Sequence, residues 1–136
     1  MRKETMSGFS EFMKIREAAA EAFTRGKTGE VVALSTSQEP ASFFGPDGNI
    51  LRGAAGVRSA YDEGGSQFGA GGDSRFEIVH AAEGGDIAYW AGVQEAVVEI
   101  GGRRVAMSLR VTELFRRENG EWKLVHRHAD ALRTDE

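Results

Sequence analysis

The chain of 136 residues has the length of one domain, and with 40% apolar and 28% charged residues it is too apolar for a disordered chain and too polar to span a membrane. Its 17 Lys and Arg against 21 Asp and Glu leave a net charge of −4, with no global attraction for nucleic acid or anionic lipid. With no Cys, disulfides, thiolate metal sites and cysteine nucleophiles are excluded; the opening Met1-Arg2-Lys3-Glu4-Thr5-Met6-Ser7 lacks a signal-peptide run, so a cytoplasmic protein with a disordered start over residues 1–7 is expected.

Helices come first. Phe9, Phe12, Arg16, Ala19, Ala20 and Phe23 recur at three- and four-residue spacing, while Glu11, Lys14, Glu17, Glu21 and Arg25 fall off that stripe, so one helix face is buried. Ser7 can cap its start, and Gly26 suits the left-handed position past its end. A short second helix is expected over residues 28–35, before Pro40. The β-prone runs 41–44 and 49–52 flank Gly45-Pro46-Asp47-Gly48 and predict a small hairpin. Ala54, Val57, Ala60, Tyr61 and Phe68 mark a third helix from residue 53 to about 68, weakened by Gly56, Gly64 and Gly65. The glycine-rich run over residues 64–73 predicts a flexible loop able to close as a lid.

From residue 75 onward the pattern is alternation. Gly84-Gly85, Gly101-Gly102 and Asn119-Gly120 divide it into runs at residues 75–83, 87–100, 103–117 and 121–132. Helices followed by a meander of long antiparallel strands predict a single α+β domain over residues 1–136, with the helices against one face of a curved sheet.

A two-residue loop at Asn119-Gly120 places Phe115 opposite Leu124, Glu113 opposite His126, Val111 opposite His128 and Leu109 opposite Asp130, on one face with Trp122. One bulge would reverse that assignment. This face begins apolar and becomes polar, like a wall that is core at one end and pocket at the other. His128, Asp130, His126 and Glu113 are therefore the candidate catalytic groups, since a carboxylate facing an imidazole fixes its tautomer and favours its protonated form. The competing reading is that these are structural histidines, hydrogen-bonded within the core. Two histidines without a helical pair do not make a metal site, and neither a metal nor a cofactor is expected.

Leu109 and Val111 extend the same wall. Tyr61, Tyr89 and Trp90 suit a ligand cavity through their amphipathic rings, and His80 is expected as a satisfied core histidine at its lining. The opposite face carries Arg110, Arg116, Lys123 and Arg127 without interleaved aromatics, which predicts a solvated or subunit-facing surface and no nucleic acid. Leu114, Val125 and Ala129 would be apolar contacts for a second copy there. No Walker loop, dinucleotide fingerprint, His-Glu-x-x-His or Gly-x-Ser-x-Gly element is present.

Phe43-Phe44-Gly45-Pro46-Asp47-Gly48 leading to Arg52-Gly53, and the ending from Phe115 through Asn119-Gly120-Glu121-Trp122 to His126-Arg127-His128, resemble the nuclear-transport-factor-2-like superfamily, and within it the SnoaL-like, ketosteroid-isomerase-like group. The resemblance implies a cone-shaped sheet wrapped around the N-terminal helices, a cavity at its wide end, and a homodimer through the outer sheet face. Steroid isomerisation is not implied: the general-base position falls at Phe44, leaving it a lining role, and the oxyanion donors fall at Ala19 and Leu109. What the resemblance leaves is a cofactor-independent isomerase, cyclase or lyase acting on a small apolar or carbonyl-containing molecule. Asp130 or His128 would abstract a proton, and His126 or Tyr89 would stabilise the enolate. The alternative is a non-catalytic ligand-binding or dimerisation module. Trp122, His126 and His128 also resemble a kinase association domain, whose pocket arginine falls at Glu113, where the charge is inverted.

Overall fold

The apolar stripe of the first helix becomes α1 (Phe9–Thr24), which buries Phe9, Phe12, Met13, Arg16, Ala19, Ala20 and Thr24. The computed structural model describes residues 8–133, so the expected Ser7 cap and the expected disorder of residues 1–7 lie outside the described residues. Gly8 holds the N-cap position, and the Phe9 N–H donates to Glu83 Oε1 at 2.8 Å, so a strand carboxylate meets one of the helix's unpaired first-turn donors. Gly26 closes the helix at φ 86°, a conformation that a Cβ would disfavour.

A short α2 (Gly29–Leu34) follows, then the hairpin of β1 (Ser42–Phe44) and β2 (Ile50–Arg52), and α3 (Ala54–Ser66). Gly64 and Gly65 are helical, which shortens the expected lid. The connector that remains, residues 67–72, is pinned. The Gly69 N–H donates to the Glu99 carbonyl at 2.9 Å, the Gly71 N–H to Glu99 Oε1 at 3.0 Å, and Arg25 Nε to the Gly72 carbonyl at 2.9 Å. Its glycines serve close approach and not looseness: a Cβ on Gly72 would run into the Thr24 carbonyl oxygen.

The meander forms β3 (Asp73–Gly84), β4 (Ile87–Ile100), β5 (Arg103–Glu118) and β6 (Glu121–Ala131). The sheet order is β2-β1-β6-β5-β4-β3, with β1 parallel to β6 and the other pairs antiparallel. The result is an α+β fold with a six-stranded mixed, curved sheet behind the helices. Asn119 (φ 52°) and Gly120 (φ 81°) make the predicted two-residue turn, and Phe115 pairs with Leu124 as expected.

Beyond that pair the register shifts. Leu114 lies opposite His126, Glu113 opposite Arg127, Thr112 opposite His128 and Val111 opposite Ala129, leaving Val125 as the extra residue of a bulge. The bulge inverts the faces of the rest of β6, so Arg127 and Ala129 turn inward and His126, His128 and Asp130 turn outward. A second bulge lies between Ile78 and His80 in β3.

At one end of the interior Phe9, Phe12, Phe115 and Trp122 pack with ring centroids 5.2 to 6.1 Å apart. Phe23, Phe43, Tyr61 and Phe68 form a looser aromatic group at the other end. Among the described residues no helix is long and apolar enough to cross a membrane.

Candidate functional site

The interior holds a buried ion cluster. Arg16 comes from the middle of the α1 stripe, Glu113 from the inward set of β5, and Arg127 from β6 through the bulge. Glu113 is fully buried, and its carboxylate accepts from Arg16 Nε (2.9 Å) and Nη2 (2.8 Å), Arg127 Nη1 (2.7 Å) and Trp90 Nε1 (2.8 Å). Arg127 Nη2 also donates to Gln94 Oε1 at 2.7 Å, and Gln94 Nε2 donates to Ser74 Oγ at 3.0 Å. Arg16 further lies 5.4 Å from the centre of the Phe76 ring, which stacks on Trp90.

Burial alone would raise the Glu113 pKa, but the flanking Arg16 and Arg127 guanidiniums outweigh it and hold the carboxyl down at about 2. Burial works against the Arg16 charge in turn, and the Glu113 carboxylate overcomes it and raises that pKa. Two guanidiniums and one carboxylate leave one net positive charge inside the protein.

Above this cluster opens a cavity of about 690 Å³ between α1, α3, β1 and the inner sheet face. Phe23, Phe43, Tyr61 and Phe68 are its aromatic walls, Arg16, Gln94 and Arg127 its buried polar lining, and Asp47 and Gln67 its exposed polar residues. Three buried side-chain polar atoms among the described residues have no protein partner: Arg16 Nη1, the Tyr61 hydroxyl and Trp122 Nε1. The first two belong to residues lining this cavity, while Trp122 sits in the aromatic end. Burial pushes the Tyr61 phenol up to about 12, so it keeps its proton.

The residues expected to form the site divide between the two faces of the sheet. Glu113 lies inside, yet opposite Arg127 and not His126. His126 is half-buried on the outer face, with Nδ1 2.8 Å from Ser42 Oγ and its ring against Phe44 at 4.7 Å. Burial, and then the neighbouring His128, lower its pKa. His128 is exposed, with Nε2 3.8 Å from Asp130 Oδ2. Asp130 is committed to Arg110 through two hydrogen bonds of 2.7 and 2.8 Å, which lower its pKa.

His80, expected in the core, is exposed and bonded to the Tyr89 hydroxyl at 2.8 Å; the β3 bulge turns it outward, and Tyr89 is paired there instead of facing the cavity. Phe44 also faces outward, and its neighbour Phe43 takes the cavity wall. Trp90, Leu109 and Val111 are buried in the core, and Tyr61 lines the cavity. Arg127 and Ala129, expected on the outer face, are buried inside by the β6 bulge.

Sequence reasoning did not find Arg127, Gln94, Phe43 or Phe23 as cavity residues, nor the role of Arg16. One signal for Arg16 was present: a charged residue centred in an apolar helical stripe requires a buried counter-charge. A shallower, more open groove on the outer face, about 560 Å³, is lined by His80, Arg110, Thr112, His128 and Asp130. Its charged groups are exposed and largely paired with each other, so the inner cavity is the stronger candidate. Among the described residues no group of three His, Cys, Asp or Glu side chains converges as a metal would need.

A curved mixed sheet closed by helices over a partly polar interior defines the nuclear-transport-factor-2-like class of small α+β proteins. Residues 13–132 match the SnoaL-like domain, and the chain belongs to that family. Among solved structures it is similar to a candidate dehydratase of the NTF2-like family from Streptomyces avermitilis, at 22% identity over 92% of this chain and 96% of that one, TM-score 0.75. It is also similar to a ketosteroid isomerase-like protein from Erwinia carotovora atroseptica, at 21% identity over 93% and 100% of the two chains, TM-score 0.68. A candidate Ca/calmodulin-dependent kinase II association domain from Exiguobacterium sibiricum aligns at 16% identity over 99% and 98%, TM-score 0.75. At these identities the likeness is one of fold. No curated protein matches.

Proposed function

We propose that this SnoaL-like domain binds a small, largely apolar molecule in the cavity between α1, α3 and the inner sheet face, as a binding module and not through His/Asp acid–base catalysis. The observation that carries the reading is the cavity itself: a space of about 690 Å³ with aromatic walls and a few convergent polar groups at its base. Against catalysis by His128, Asp130 and His126 stands their position on the outer face, with Asp130 already bound to Arg110. Glu113 is no base near neutral pH, because it accepts four hydrogen bonds and the Arg16 and Arg127 guanidiniums, which donate three of them, hold its pKa down at about 2. The reading includes a homodimer through the outer sheet face, where Val79 and Leu114 are exposed.

The test is a titration of isotope-labelled protein with a panel of small aromatic and branched aliphatic acids, amides and alcohols, followed by NMR. Binding is expected to move the amides of α3 and of residues 43–47 while leaving His80 and His128 unmoved. Ala60→Trp, which fills the cavity, is expected to abolish the response. A panel in which no compound moves these amides, or in which the moved signals cluster around His128, overturns the proposal.

A further inference from the structure

We infer that the cavity selects a carboxylate: its ligand is an apolar carboxylic acid whose anion is received by Arg16 Nη1 and the Tyr61 hydroxyl, with the apolar tail lying against Phe23, Phe43 and Phe68. This inference rests on the cavity reading above and adds the chemical class of the ligand.

Charge comes first. Among the described residues Arg16, Glu113 and Arg127 are the buried ionised side chains, and the one carboxylate that lines the cavity, Asp47, is exposed and bonded to Asn49, so one positive charge is left without a buried counter-charge. Such a charge favours a monoanion at contact distance far more strongly than the same charge would in water.

Geometry then picks the atoms. Glu113 already accepts four donors, so it has no place for another from Arg16. Arg16 spends Nε and Nη2 on that carboxylate and keeps Nη1 unpaired, in a residue only 3% exposed. Tyr61, 6% exposed, keeps a protonated hydroxyl without a protein acceptor. An unpaired buried donor is costly, and the two residues that carry these donors line one cavity, with the donor atoms themselves covered just beneath its surface and reached by a small shift of either side chain. Arg127 is held by Glu113 and Gln94, and the Gln94 carbonyl oxygen is thereby occupied, which leaves the base of the cavity rich in donors.

A carboxylate fits this arrangement better than a phosphate ester does. Two donor groups match two oxygens, and one positive charge matches one negative charge; a dianionic phosphate would carry a surplus charge and a third oxygen into aromatic walls. An amide or alcohol of the same shape would fill the walls and leave the positive charge uncompensated.

The experiment compares 3-phenylpropanoate, 3-phenylpropanamide and 2-phenylethyl phosphate by calorimetric titration at pH 7, with indole-3-propanoate and its amide as a second pair. The acids are expected to bind at least roughly tenfold more tightly than their amides, as one charge-assisted hydrogen bond supplies. They are also expected to bind more tightly than the phosphate ester. Tyr61→Phe, which removes one hydroxyl and preserves the ring, is expected to reduce the acid-to-amide preference several-fold without lowering amide affinity. Arg16→Gln unpairs Glu113 and risks unfolding, so Tyr61→Phe is the deciding variant. Acid and amide binding equally would overturn the carboxylate assignment and leave the cavity reading standing. A phosphate ester that outcompetes the acids would also overturn it. Failure of every compound in both pairs to bind would remove the cavity reading and this inference with it.

Discussion

Glu113 is the residue on which the interior depends. Removing its charge leaves two buried guanidiniums facing each other, and breaking a buried ion pair from one side costs about 3–5 kcal/mol. Glu113→Gln is therefore expected to lose stability on that scale in urea unfolding, whereas Asp130→Asn, which opens an exposed pair with Arg110, should leave the midpoint nearly unchanged. The pH dependence has the same source. The folded Glu113 carboxyl lies below its unfolded value, so its contribution is complete above the ordinary glutamate range and is lost as pH falls from there towards about 2. A urea midpoint that stays flat across that window would contradict the assignment. Arg16 was legible in part, since its position in an apolar stripe showed that it would be buried. Arg127 was not, because alternation read without a bulge sends it to the solvent side.

Among the elements, the helices and the long strands follow from periodicity and glycine turns, and their observed bounds lie within about three residues of expectation. What alternation cannot carry is a one-residue insertion in a strand. At Val125 and near Val79 the ladder is shifted, and each shift changes which side chains the interior receives. The β6 bulge satisfies an electrostatic requirement: without it Glu113 would face His126 and Arg16 alone, and Arg127 would leave the interior. The β3 bulge has a steric counterpart in Gly92 of β4, where a Cβ would run into the Glu77 carbonyl oxygen. Gly92→Ala is accordingly expected to destabilise by about 1–3 kcal/mol, the usual cost of forcing extra volume into a packed site. Thermal unfolding measures it, and Gly84→Ala, with open space around it, serves as the control.

For the whole molecule, the proposals assign the two sheet faces separate tasks. The inner face carries the cavity, while the outer face exposes Val79 beside His80, Arg110 and His128, and Leu114 between Tyr89 and His126, and is the surface proposed for the homodimer. Sedimentation equilibrium is expected to return twice the chain mass at micromolar concentration, and Leu114→Glu is expected to shift the equilibrium towards monomer. A monomer at every concentration would remove the dimer. The overall architecture was legible because helices precede a meander in the chain, and so was a pocket face opposed to an outer face; which side chains each face receives was not, since both bulges had to be known first.

The sheet order also dictates when the parts can come together. Strands β3, β4 and β5 join their neighbours in chain order through short turns, but β1 takes its place against β6, and Ser42 and His126, bonded across that seam, are 84 residues apart. During synthesis on the ribosome the β1–β2 hairpin is made before β6, the sixth strand of this sheet in chain order and the one it joins. The Arg16–Glu113–Arg127 cluster waits on the same event, because its third member lies on β6. The interior therefore cannot be completed until the chain from α1 through β6 is present, and completing it closes a loop of that length.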